Sequence, residues 1–184
     1  ITNGTVNAQA LSGTTLYVGG SFSFVGAVTG SGVTVDTTTG VATSGFPRVN
    51  GQVNTAVSDG AGGALMVCEM GLGTADSLVA QRVTGTGALA TGWTTKGVTM
   101  ARHPGKRRSE PIPDGLGGGL IARSAVKTVD EGIFAQRVGA AGTLAGGWPS
   151  DGKTVSDTTD IQNEVAIVTD GANVFKFPDG IVAN

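Results

Sequence analysis

The sequence predicts an all-β fold made of repeated units, each with four short antiparallel strands. Three short segments recur in the same order, each 55 residues further along the chain: 58–65 (SDGAGGAL) as 113–120 (PDGLGGGL), 80–83 (AQRV) as 135–138 (AQRV), and 92–93 (GW) as 147–148 (GW). A constant spacing of this kind indicates one long repeat. Glycine supplies 32 of the 184 residues, whereas only 5% are aromatic and 14% are charged. Such a composition favours short strands and tight turns over long amphipathic helices.

Residues 1–47 form the first predicted unit, a diverged and shorter copy. Residues 3–7 (NGTVN) match 50–54 (NGQVN). Short apolar or alternating runs predict its strands, and turns rich in glycine, serine and threonine separate them. These runs lie at 6–11, 16–18, 32–36 and 41–43. Four strands are therefore the expected count for a complete unit.

Residues 48–102 form the second predicted unit, in which the strand pattern is clearest. Residues 53–57 (VNTAV) alternate with the period of two of a half-buried strand, and 64–68 (ALMVC) is an apolar run. Residues 59–63 (DGAGG) suit the tight turn between them, because glycine adopts positive φ without strain. We expect the third strand at 78–83 and the fourth at 88–93, so that Trp93 closes the unit.

Residues 103–157 form the third predicted unit, and residues 158–184 form half of a fourth. The third unit begins with two prolines, Pro111 and Pro113, in place of a regular first strand. Since proline cannot donate to a β-ladder, this strand must be irregular or must hold its prolines where no partner needs an N–H. Residues 164–177 repeat only the first hairpin, with a turn at 170–173.

Units of this length with four short strands fit the blade of a β-propeller. The runs 59–63 (DGAGG) and 80–83 (AQRV) resemble the Asp-Gly-x-Gly-Gly and Ala-Gln-Arg-Val repeats of large secreted bacterial β-propeller proteins, and 16–22 (LYVGGSF) resembles a strand of related propeller repeats. The second strands depart from that family, because 67–69 (VCE) and 122–124 (ARS) lack its tryptophan. The resemblance implies a propeller-type fold and a secreted or cell-surface location. It implies no catalytic residues.

About three and a half units fall short of the roughly four blades that a closed propeller needs. We therefore expect a fragment of a longer chain, an open array, or closure by self-association. Unpaired strand edges are templates for pairing with another chain. The predicted partners are accordingly a protein or further copies of this chain, with polysaccharide as another candidate.

Charge and composition exclude several classes of partner. The formal net charge is −2, so a general attraction to nucleic acid or to an anionic membrane surface is not expected. The sequence has no apolar run of the roughly 20 residues that a membrane-spanning helix requires. Cys68 is the one cysteine, which rules out an intramolecular disulfide.

No combination of residues in the sequence suggests a catalytic, cofactor or metal site. His103 is the single histidine and lies in a polar loop. The Asp-Gly pairs are separate hairpin turns that lack the closely spaced oxygen ligands of a calcium loop; they begin at Asp59, Asp114, Asp151, Asp170 and Asp179. The glycine run 115–119 leads into a strand and lacks the lysine of a phosphate-binding loop.

Two sets of side chains are candidate contact sites. The first is a basic cluster that suits either an anionic partner or a solvated loop between units: Arg102, Lys106, Arg107 and Arg108. The second is the pair Trp93 and Trp148, which suits packing between blades or, where exposed, stacking on a sugar.

A recurring structural polar contact is also predicted. Its members are the Gln-Arg pairs at 81–82 and 136–137, together with Asp76 and Glu131 just before the same strands. Their repetition in both clear units favours a structural role over binding.

Two functions are consistent with these observations. The first is a non-enzymatic extracellular or cell-surface β-repeat module, structural or adhesive, that assembles through its unpaired ends. The second is a carbohydrate- or protein-binding propeller domain of a larger secreted enzyme. Burial of both tryptophans between units favours the first, and their exposure favours the second.

Overall fold

A computed structural model of the chain has only β-strands, turns and irregular segments in the part it describes. That part comprises residues 3–12, 15–21, 23, 30–42, 45, 49, 51–71, 77–102, 108–127, 130–157, 165–169 and 175–176. Within these ranges there are antiparallel sheets of two to four strands and no helix. The predicted all-β class is confirmed. The closure of units into a propeller and the unit boundaries stay predictions.

The second predicted unit contains a four-stranded antiparallel meander. Its strands, in both chain and spatial order, are β3 (Gln52–Ser58), β4 (Ala64–Met70), β5 (Ser77–Val83) and β6 (Val98–Arg102). The first three strands lie where the sequence predicts them.

The prediction of a fourth strand at 88–93 is wrong. These residues form turns, in which the N–H of Ala90 donates to the Arg82 carbonyl and that of Trp93 donates to the Ala90 carbonyl. Gly92 and Gly97 then reverse the chain with φ of 85° and 64°. The true fourth strand, β6, buries Val98, Met100 and Ala101 and exposes Thr99 and Arg102. Its pairing with β5 shifts register, so strict alternation is interrupted.

The third predicted unit contains an equivalent sheet. Its strands, again in chain and spatial order, are β7 (Ser109–Pro113), β8 (Gly119–Lys127), β9 (Asp130–Val138) and β10 (Lys153–Asp157). Its fourth strand also follows the tryptophan of the unit and does not include it. The two sheets therefore share both their topology and their departure from the expected strand position.

The prolines of β7 occupy positions that do not need a donor toward β8. The N–H of Ser124 donates to the Arg108 carbonyl, and the N–H of Asp114 donates to the carbonyl of Gly118. Because an antiparallel ladder alternates bonded and non-bonded pairs, the even-numbered residues of β7 face β8 with their backbone groups. Pro111 and Pro113 fall at the alternate positions, opposite Ile121 and Gly119. This is the second of the two arrangements that the sequence allowed.

The first predicted unit is less regular than expected. Its strands β1 (Thr5–Ser12) and β2 (Thr15–Ser21) form a two-stranded hairpin. In residues 30–42, the expected third and fourth strands are reduced to a bridge between Val35 and Ala42, and Gly30 makes a further isolated bridge with Val49. Val35 is 50% exposed and Val41 is 62% exposed. Without apolar burial, little favours a longer ladder there.

The last predicted unit shows the expected hairpin in short form. Strands β11 (Val168–Thr169) and β12 (Phe175–Lys176) pair antiparallel. The predicted turn at 170–173, with Asp170, lies outside the described residues, as does Asp179.

The hydrophobic core lies largely between the sheets. Leu65, Val67 and Ala80 of the second unit pack in one buried cluster with Ile121 and Val138 of the third. A second cluster joins the third unit to the last segment; its members include Leu120, Ala122, Ile133, Ala135, Val165 and Ile167. The second and third units therefore complete their cores by packing on the segment that follows, as in repeat proteins generally.

The register of β7 leads to a test with matched variants. Ile112→Ala removes part of a half-buried side chain, whereas Ile112→Pro also removes an N–H on the side of β7 that faces β8. We expect Ile112→Pro to lower the free energy of unfolding by about 2 kcal/mol more than Ile112→Ala, measured by urea denaturation. Pro111→Ala should change it by less than about 1 kcal/mol. Equal effects of the two Ile112 variants would contradict the register.

Candidate functional site

The first recurring contact is made by an aspartate whose carboxylate accepts hydrogen bonds from the turn of its own hairpin. Asp59 Oδ1 accepts hydrogen bonds from the N–H groups of Ala61 and Gly63, both at 2.8 Å. Gly60 and Gly62 have φ of 74° and 82° within this turn. The Asp-Gly sequence thus favours this turn, because the carboxylate accepts hydrogen bonds from the N–H groups of the turn and glycine adopts the left-handed conformation.

Arg82 on β5 connects this turn to the next unit. Its Nε and Nη2 donate to Asp59 Oδ2 at 3.0 and 2.8 Å, and its Nη1 donates to the Gly117 carbonyl at 3.1 Å. Gly117 lies in the equivalent turn of the third unit. The Asp59 side chain is 4% exposed and that of Arg82 is 18% exposed. One guanidinium therefore joins a buried carboxylate to the backbone of the neighbouring unit; we call this set the Arg82 clamp.

The clamp changes the acidity of Asp59. Burial of the carboxyl raises its pKa, but donation from Ala61, Arg82 and Gly63 and the positive charge of Arg82 together outweigh burial. The net pKa lies below the ordinary value of 3.8. Asp59 therefore holds its negative charge in the folded protein at neutral pH.

The third unit repeats the aspartate turn and its ion pair, with a longer distance between the charged groups. Asp114 Oδ1 accepts from Leu116 N and Gly118 N at 2.9 Å each, and Arg137 Nη2 donates to Asp114 Oδ2 at 3.4 Å. The Arg137 side chain is 39% exposed. Its Nε is buried without a hydrogen-bond partner in the described part of the chain.

The glutamines beside these arginines make a second repeated contact. Gln81 Nε2 donates to the Thr94 carbonyl at 2.7 Å, and Gln136 Nε2 donates to the Pro149 carbonyl at 2.6 Å. These bonds tie the third strand of each sheet to the loop before its fourth strand. The predicted repeated polar contact is present, but the acidic partners are Asp59 and Asp114. Asp76 and the side chain of Glu131 lie outside the described residues.

Trp93 packs between the two clear units. It is 6% exposed, and its Nε1 donates to the Ala140 carbonyl at 2.9 Å. A Cβ on Gly142, which has φ of 68°, would lie 3.1 Å from Trp93 atoms. The turn at 140–142 thus needs a glycine to sit against this ring. The packing interpretation applies to Trp93.

Trp148 is only half-buried. It packs at the edge of the cluster that contains Val165 and Ile167. The Lys153 ammonium lies 4.8 Å from its ring centroid. Part of this ring therefore meets solvent, which leaves the stacking interpretation open for Trp148 alone.

Two of the four residues of the basic cluster lie within the described part of the chain. Arg102 and Arg108 are exposed, whereas Lys106 and Arg107 lie outside the described residues together with His103. The backbone N–H of Arg102 is 3.4 Å from Asp151 Oδ1. The contact of this cluster with an anionic partner stays a prediction.

Equivalent positions on β4 and β8 carry very different buried side chains. Cys68 is 4% exposed, and burial raises its pKa to about 11, so the thiol stays protonated at neutral pH. Its counterpart Arg123 is 5% exposed, lies 4.7 Å from the Phe134 ring centroid, and donates from Nη2 to the Asp151 carbonyl at 2.9 Å. Burial lowers the Arg123 pKa, and the charge of Asp151 partly restores it. Sequence reasoning assigned Arg123 no role, although a charge in an apolar strand was the available signal.

A polar cleft opens where β3 and β4 meet β7, and it was not anticipated from the sequence. It has a volume of about 490 Å³. Its lining residues are Gln52, Asn54, Thr55, Glu69, Arg108, Ser109 and Glu110. We call it the β3–β7 cleft. Because these residues belong to two predicted units, no local motif joins them.

No protein-family model, curated protein or solved structure matches this chain. Among the described residues, no three histidine, cysteine, aspartate or glutamate side chains are grouped to hold a metal ion. The same residues include no helix long and apolar enough to cross a membrane.

The two aspartates provide a matched test of the clamp. Asp59→Asn keeps an oxygen for the turn but removes the charge that partners Arg82, whereas Asp114→Asn removes a longer and more exposed contact. We expect Asp59→Asn to lower the free energy of unfolding by about 1–3 kcal/mol, and Asp114→Asn by less than about 1 kcal/mol. Urea denaturation measures both values. A larger loss in Asp114→Asn would contradict the assignment of the inter-unit contact to Arg82.

The lowered pKa of Asp59 predicts a pH dependence of stability. An aspartate whose pKa is lower in the folded than in the unfolded state stabilises the fold above its unfolded pKa, and this contribution is lost as pH falls through the folded pKa. The wild-type protein should therefore lose stability as pH falls from about 5 to about 2, and Asp59→Asn should lose less over that range. Thermal melts across the range measure the difference. Parallel wild-type and variant curves would show that Asp59 does not contribute.

Proposed function

We propose that this chain is a non-enzymatic β-repeat module of a secreted or cell-surface protein, with a structural or adhesive role. Its units succeed one another as blades of a propeller-type array. The observation that carries the proposal is the pair of contacts between units, Arg82 to the Gly117 carbonyl and Trp93 to the Ala140 carbonyl. The secreted location rests on the resemblance of the repeats alone.

The acceptors in both contacts are backbone groups. A carbonyl is present whatever side chain a unit carries, so a following unit can receive the same donors even after its sequence diverges. Repeat proteins add units through this kind of nearest-neighbour interface. The same arrangement suits a scaffold, in which the number of stacked units sets the length of the surface displayed.

The β1–β2 hairpin supports association between copies. Val6, Leu11 and Val18 are 43%, 73% and 36% exposed. A two-stranded hairpin is marginal by itself. Among the described residues no further strand pairs with its outer edges, and such edges can pair with strands of another chain. We propose that copies of this chain associate through this hairpin.

The alternative function is a carbohydrate- or protein-binding domain of a larger secreted enzyme. The half-buried ring of Trp148 favours it, since an aromatic face that meets solvent can stack on a sugar. Under this alternative the protein would stay monomeric and bind its ligand without assembly.

Self-association is tested by substitution of two leucines of similar exposure. Leu11 lies on β1 at 73% exposure, and Leu116 lies in a hairpin turn of the third unit at 71%. We expect sedimentation equilibrium to show concentration-dependent oligomers of the wild-type protein. Leu11→Lys should weaken this association about tenfold or more, because it places a charge on an apolar edge strand, and Leu116→Lys should leave it unchanged. A wild-type protein that is monomeric at all concentrations would overturn the assembly proposal.

A further inference from the structure

The β3–β7 cleft contains most of the buried polar atoms that have no partner. In the described part of the chain, five buried side-chain nitrogen or oxygen atoms make no hydrogen bond. Three of them belong to residues that line this cleft: Asn54 Oδ1, Glu69 Oε1 and Ser109 Oγ. Ser109 as a whole is only 6% exposed. Since an unpaired buried polar atom lowers stability, three in one place indicate a site that is completed by something else.

The backbone is irregular at the cleft. The pairing of β3 with β4 shifts register between Val53 and Thr55, which makes Asn54 the extra residue of a β-bulge. Gly51, with φ of 130°, lets the start of β3 lie close against β4, because a Cβ there would be 2.5 Å from the Glu69 carbonyl. Bulges redirect side chains and are common beside binding sites.

Equivalent positions of two units line the cleft together. Asn54 of β3 corresponds to Ser109 of β7 in the 55-residue repeat, and Thr55 corresponds to Glu110. The side chains differ within each pair, in contrast to the Asp and Arg residues of the ion pairs, which are identical in both units.

The chemistry of the lining restricts the ligand. All lining residues are polar or charged, which does not suit a lipid or an apolar peptide side chain. The unpaired Glu69 and Asn54 oxygens are acceptors, and Glu69 and Glu110 are both carboxylates, which disfavours a phosphate or another anion. Arg108 adds a positive charge at the cleft, which disfavours a simple cation. A ligand with several hydroxyl groups can donate to the acceptors and accept from Arg108.

We propose that the β3–β7 cleft binds a neutral sugar residue. Glu69 Oε1 and Asn54 Oδ1 accept hydrogen bonds from neighbouring hydroxyl groups, Ser109 Oγ donates or accepts, and the exposed Arg108 donates to a sugar oxygen. None of the lining residues is aromatic. Affinity for a single sugar should therefore be weak, in the millimolar range, because stacking does not contribute. This site does not depend on the scaffold proposal, since it requires neither assembly nor closure of a ring.

The test is a titration of the isotope-labelled protein followed by NMR. The probes are glucose, galactose, mannose and N-acetylglucosamine, each added to millimolar concentration, with n-butylammonium and calcium chloride as cation probes. We expect at least one sugar to shift the amide signals of 52–55, 69 and 108–110 in a saturable way. Shifts at these residues from a cation probe alone, or from no probe, would overturn the proposal.

Matched variants separate binding from folding. Glu69→Gln and Ser109→Ala should each weaken sugar binding by about fivefold or more, because each alters a group that contacts the ligand. Ser150→Ala, at an exposed serine before β10, should not change it. Ser109→Ala should melt at the same or a higher temperature than the wild type, since it removes an unpaired buried hydroxyl. Equal sugar binding by Ser109→Ala and wild type would contradict the site. A lower melting temperature of Ser109→Ala would show that its hydroxyl has a structural role, and this would contradict the site as well.

Discussion

The ion pair between Arg82 and Asp59 is the contact on which the packing of one clear unit against the other depends. Asp59 organises its own turn with one oxygen and holds Arg82 with the other, and Arg82 reaches the backbone of the next unit. A partly buried ion pair has a desolvation cost that can cancel much of its attraction. Its role is therefore to set the position of one unit on the next, while apolar burial supplies most of the stability.

That apolar burial is shared between units. Leu65 and Val67 on one sheet meet Ile121 and Val138 on the next, and Trp93 covers the junction. The contrast between Cys68 and Arg123 shows how equivalent positions can be filled differently. The cysteine packs as a small apolar group, whereas the arginine lies over Phe134 and donates to a carbonyl. A planar, weakly hydrated guanidinium tolerates such a place better than most charges.

The junction of the two units has an apolar side and a polar side. Trp93 and the shared apolar cluster form the first, and the β3–β7 cleft with its unpaired acceptors forms the second. Structural contacts recur from unit to unit, as the Gln81 and Gln136 bonds do. The residues that line the cleft differ in sequence between the units, since Asn54 and Thr55 correspond to Ser109 and Glu110.

The sequence by itself determined the repeat, the hairpin turns and the first three strands of each clear unit. These features depend on local chemistry: glycine at positive φ, aspartate within reach of its own turn, and alternation along a strand. The fourth strand was misplaced because residues 88–93 are apolar like a strand, although they turn to bring Trp93 against the next unit. Only the tertiary structure decided the partners of Arg82 and Trp93 and the composition of the β3–β7 cleft. Gly117, Ala140 and Ser109 are distant in the chain from the residues near which the fold places them, so no local pattern in the sequence joins them.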